Sequence, residues 1–65
     1  MSEKIEIKVD ATYGVKVKVG DNVDRGQEIG KASCTGQMVT ASISGVVREI
    51  RFEPQSHEFA VVLKS

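Results

Sequence analysis

Branched apolar residues at every second position, cut into short runs by glycine, restrict this chain to short strands and tight turns. Ile5, Ile7 and Val9 alternate with Lys4, Glu6 and Lys8, and Val15, Val17 and Val19 alternate with Lys16 and Lys18. A period of two puts one set of side chains on one face of a strand. No window sustains a helical repeat. Val, Ile and Thr dominate, and their stiff χ1 favours strands. With 65 residues the chain has room for a single domain, 1–65. A chain of that size buries only about 60% of its extended surface.

The alternation predicts strands at 4–9, 15–19, 27–32, 38–43, 46–52 and 59–63. Val15, Val17 and Val19 are expected on one face, as are Val39, Ala41 and Ile43. Turns are expected at Gly20-Asp21-Asn22, Asp24-Arg25-Gly26, Cys34 to Gln37 and Ser44-Gly45. Pro54 to His57 is polar and reads as a loop. Phe59 to Leu63 is continuously apolar and reads as a strand interior to a sheet. Such brevity suits a small barrel or sandwich. A weak internal repeat lays Tyr13–Val19 over Ser44–Ile50, which would suit two pseudo-two-fold halves.

Composition removes several functions. Lys plus Arg and Asp plus Glu are 9 each and interspersed, so no basic patch marks a nucleic-acid binder. Net neutrality gives little protection against self-association and leaves a homo-oligomer open. Two Phe, one Tyr and no Trp cannot wall an aromatic pocket. No run approaches the roughly 18 apolar residues of a membrane span, and the polar start is unlike a signal peptide. A cytoplasmic location is the expectation. One Cys and one His give no zinc spacing, and a single Cys cannot form an internal disulfide. Asp21, Asp24 and Glu28 lack the alternation of a calcium loop. The glycines match no phosphate loop, and Asp21 is expected to cap its own turn.

Residues 17–29, VKVGDNVDRGQEI, resemble the first hairpin of the biotinyl/lipoyl-like family. Val19, Gly20, Asp21, Val23, Gly26, Gln27 and Ile29 fill that pattern. Residues 40–50, TASISGVVREI, resemble its second signature. The resemblance implies an all-β barrel-sandwich hybrid, a flattened β-barrel of six to eight short strands. Thr40 to Val47, with the run Val17 to Val23, is similar to the accessory barrel-sandwich domain of RnfC-like subunits of membrane-associated electron-transport complexes. In those subunits the domain is a non-catalytic accessory to flavin, NADH and iron–sulfur domains. Carrier members of the wider family hang biotin or lipoyl on a lysine in an exposed hairpin turn. Here Cys34 falls near that position, followed by Thr35 and Gly36, and Lys31 lies about three residues early.

Three function classes follow. The leading expectation is a non-catalytic accessory or protein-binding module without a cofactor, its partner another protein, structured by turns at Gly20, Asp21, Gly26 and Gly45. The Cys34-Thr35-Gly36 turn is its candidate interaction or reactive element. A second is a carrier modified at Lys31 or using Cys34 in an unusual way. A third is a small redox protein centred on Cys34, for which His57 is the sole imidazole partner.

Overall fold

The computed structural model describes residues 3–32 and 35–65. Six strands form, in chain order: β1 (Lys4–Asp10), β2 (Asn22–Val23), β3 (Glu28–Lys31), β4 (Met38–Thr40), β5 (Gly45–Glu53) and β6 (Glu58–Lys64). Among the described residues there is no helix. A four-stranded antiparallel sheet has the order β1-β6-β5-β2, and β3 pairs with β4 in a second, two-stranded sheet. The two sheets enclose a core of Val9, Val17, Val23, Ile29, Ala41, Val47, Val61 and Leu63. The core is wholly aliphatic, as the scarcity of aromatics requires.

β6 is central because it carries apolar residues at every position from Phe59 to Leu63. Val61 and Leu63 enter the core. Ala60 and Val62 lie on the opposite face and are buried too. Lys8 and Arg51 flank Ala60, and Glu6 and Glu49 flank Val62, in the register of the ladders. Lys8 pairs with Glu53, and Arg51 with Glu6 at 2.7 Å and Glu49 at 3.2 Å. The charged side chains thus close over β6 from both sides, their methylene stems covering its apolar outer face.

Two expectations need correction. Val15 to Val19 joins no ladder. Lys16 donates one hydrogen bond to the Ile29 carbonyl (2.8 Å), and Gly14 and Gly20, both at positive φ, bend the chain at either end. The segment crosses between the sheets. Val17 reaches the core, but Val19 lies at the turn and is 61% exposed. Alternation reports which side chains share a face, and it does not supply a pairing partner. The second correction concerns Gly45. It is the first residue of β5 and has no positive φ, so it is not a turn glycine. A Cβ there would sit 2.6 Å from the Lys64 carbonyl oxygen, so glycine is needed for a close approach of backbones.

The two overlaid segments therefore enter the fold differently: 15–19 is a crossing and 46–50 is ladder. Elsewhere β4 stops at Thr40, yet Val39, Ala41 and Ile43 turn inward as expected. β5 runs one residue further at each end than predicted. It carries an irregularity between Val47 and Glu49 that leaves both Arg48 and Glu49 exposed.

Candidate functional site

The hairpin joining β3 to β4 is the place where this scaffold could present a group to a partner. Gly30 decides how it sits. A Cβ at Gly30 would lie 2.9 Å from the Val9 Cβ, so only glycine lets β3 pack this tightly on β1. The register shift between Glu28 and Gly30 falls at the same point. Lys31 closes β3 opposite Met38 and is half-buried. Ala32 N–H donates to the Gln37 carbonyl (2.8 Å), extending the hairpin by one step. Beyond it Gly36 N–H returns to the Ala32 carbonyl (3.0 Å) and Gln37 N–H donates to Thr35 Oγ1 (3.2 Å). Gly36 is at φ 69°. Thr35 thus has a structural duty in closing the loop. Cys34 lies outside the described residues, so the reactive-turn expectation is placed only through Thr35 and Gly36.

The Tyr13 hydroxyl stands 3.5 Å from the position of a Cβ on Gly36. Tyr13 and Met38 are 54% and 60% exposed. The composition marks them only as two of few large apolar residues. Met38 belongs to the hairpin as the first residue of β4, and Tyr13 is brought beside it by the Ala11–Gly14 turn, closed by Gly14 N–H on the Ala11 carbonyl (3.2 Å). Ala11 N–H also donates to the His57 carbonyl (2.9 Å). The turn therefore links the β3–β4 hairpin to the β5–β6 loop. His57 itself has φ 54° and sets its ring edge-on to Phe52, with centroids 6.0 Å apart. That gives His57 a structural role in ending the loop.

The expected turns are built from their own side chains. Asp21 Oδ2 accepts from Lys18 N–H (3.0 Å) while Asp21 N–H donates to the Lys18 carbonyl (3.0 Å). Gln27 Oε1 accepts from Asp24 N–H (3.0 Å), and Gln27 N–H donates to the Asp24 carbonyl (2.9 Å). Gly20 at φ 97° and Gly26 at φ 89° supply the left-handed backbone these turns need. Ser44 Oγ accepts from Arg25 N–H (3.0 Å), tying the second turn to the entry of β5. Asp21, Asp24 and Glu28 are not brought together as ligands. Among the described residues no group of His, Cys, Asp or Glu could hold a metal ion, and no cavity opens. No helix of the described residues is long and apolar enough to cross a membrane.

The strongest electrostatic feature lies away from the hairpin. The hydrogen bond from Lys8 Nζ holds the Glu53 carboxyl below the usual glutamate range, and the same bond raises Lys8. Hydrogen bonds to Glu6 and Glu49 raise Arg51.

Comparison with curated proteins finds no match, and comparison with solved structures finds none. The family model described as the RnfC barrel sandwich hybrid domain matches residues 5–64. That span runs from the second residue of β1 to the end of β6, so this chain belongs to the RnfC barrel-sandwich-hybrid family.

Proposed function

We propose that this chain is a non-catalytic accessory module that works by binding another protein, in the setting of an RnfC-type electron-transport complex. The position of Lys31 carries the reading. It is the one lysine within the hairpin, and it is half-buried in the β3 ladder opposite Met38. A carrier lysine has to protrude, so that a ligase can reach it and the arm can swing. What the hairpin end offers instead is exposed Tyr13 and Met38 beside a loop closed by its own hydrogen bonds. Aromatic and methionine side chains are enriched where protein surfaces meet. The family match supports the electron-transport setting, and the partner is then a subunit carrying flavin or iron–sulfur groups.

The experiment is native co-purification of the full chain with the electron-transport subunits of its host, alongside intact-mass measurement. The expected result is a bare-sequence mass and co-purification that Tyr13→Glu with Met38→Glu abolishes while the β-sheet circular dichroism persists. A biotinyl or lipoyl mass increment would establish the carrier reading. A chain unmodified and solitary under all extraction conditions would overturn the accessory role.

A further inference from the structure

The outer edge of β1 is self-complementary, and we infer that two copies of this chain associate there as an antiparallel, two-fold dimer. The backbone directions follow from two hydrogen bonds. Ser65 N–H donates to the Glu3 carbonyl (2.8 Å), and Ala11 N–H to the His57 carbonyl (2.9 Å). Bonded residues alternate along an antiparallel ladder. The odd-numbered residues of β1 therefore face β6. The N–H and C=O groups of Lys4, Glu6, Lys8 and Asp10 face away from the sheet. Among the described residues nothing pairs with them. β3 meets β1 through the core-facing Val9 side chain, and among the described residues it does not pair with this edge.

Free sheet edges invite pairing, and proteins blunt them with bulges, short strands, proline or charged side chains such as lysine, and the last of these fails where a partner strand brings the opposite charge. β5 shows such protection: its ladder shifts between Val47 and Glu49, and Val47 is already bonded to Gly20 and Asp21. β1 has an unbroken seven-residue register with β6 and no proline. Its charges alternate in sign along the outer face: Lys4, Glu6, Lys8, Asp10. With Ile7 on the two-fold axis, Lys4 meets Asp10 of the second copy and Glu6 meets Lys8 of the second copy. Every outer-face pair is then of opposite charge. The pairing also uses the residues whose backbone groups point outward. Four such pairs, each exchanging two bonds, would give about eight backbone hydrogen bonds. On the core face Ile5 meets Val9, and Ile7 meets its own copy. Ile5 and Ile7 are only half-buried in the single chain, so the partner would cover their remaining apolar surface.

Neighbouring registers fail on charge. Placing Glu6 on the axis sets Glu6 against Glu6 and Lys4 against Lys8. Placing Lys8 there sets Lys8 against Lys8 and Glu6 against Asp10. Like charges directly opposite destabilise a ladder. The two-fold register about Ile7 is thus selected over its neighbours. It would join the two four-stranded sheets into one continuous sheet.

The test is sedimentation equilibrium of the full chain in reductant, which removes any dimer made by Cys34 oxidation. A dimer that weakens with added salt is expected. Lys4→Asp should weaken it roughly tenfold by setting like charges opposite in both halves. Lys4 has no ion pair within the chain among the described residues, so this change spares the fold. Glu6→Lys and Lys8→Glu should each be largely monomeric alone and should form a heterodimer when mixed. Amide exchange should be slowed at Lys4, Glu6, Lys8 and Asp10 at high concentration and fast on dilution. A wild-type chain that stays monomeric at its highest soluble concentration would overturn the inference. So would a dimer indifferent to Lys4→Asp, or folded single variants that fail to pair on mixing.

Discussion

Gly45 shows how a single position can be identified correctly for the wrong reason. Sequence marks it as a turn signal after Ser44. In the structure it starts β5, pairs with Val23, and lies against the backbone at the end of β6. The nearest atoms to a Cβ there are the Lys64 carbonyl oxygen and carbon at 2.6 and 2.8 Å and Ser65 N at 3.0 Å. These are main-chain atoms and cannot rotate aside. Gly45→Ala should therefore cost about 1–3 kcal/mol, as overpacking does. Urea denaturation of the two chains would measure it, and equal midpoints would refute the close-approach argument. Gly30 obeys the same logic against Val9. Asp21 shows the opposite case: its cap was legible from the residue type alone, because a short carboxylate beside glycine bonds nearby backbone N–H groups whatever surrounds it.

At the scale of the element, β6 depends on its two neighbours for cover on its outer face. Glu53 and Lys8 reach across from β5 and β1, joined by Arg51 and Glu6. These pairs are partly exposed, so each is screened and individually weak. Their pH signature is nevertheless definite. Because the Glu53 carboxyl is held below its ordinary value, its contribution is fully present above the unfolded-chain pKa, ordinarily about 4.3. It is lost as pH falls through the lower folded value. Lys8 has the opposite sign: its contribution is present at neutral pH and is lost as pH rises through its raised value. Glu53→Gln should thus be less stable than wild type at pH 7, and the difference should shrink as denaturation is repeated at falling pH below the ordinary glutamate range. A difference that does not change with pH would show that the Lys8–Glu53 pair does not contribute.

The whole molecule has little reserve. A 65-residue domain has roughly 3–10 kcal/mol of net stability. Leu63 is fully buried in the one aliphatic core. Leu63→Ala should cost about 2–5 kcal/mol, enough to leave a large unfolded fraction at room temperature. Loss of slow amide exchange across the sheet would report it, and a native-like exchange pattern would show that the core can collapse around the gap. β1 and β6 pair from opposite ends of the chain, so their ladder closes the longest loop. The same β1 leaves its far edge for a second copy. Folding and association therefore draw on one strand.

The sequence by itself determined the strand class, the aliphatic core and the local turns. β1, β6, Gly20, Asp21 and Gly26 are all readable because period, residue type and turn chemistry act over a few neighbours. The resemblance of residues 17–29 and 40–50 also carried the family, and the turns of the first stretch are built from their own side chains. Tertiary structure alone decided the rest. Whether Val15 to Val19 pairs or crosses depends on what lies beside it, and Val19 ends up exposed for that reason. Lys31 could be placed in a ladder and Tyr13 beside Gly36 only once β3 had packed on Val9. The charges of β1 and β5 became partners only when the β6 register set them level. Each of these relations joins residues far apart in the chain, and no local pattern encodes which of them meet.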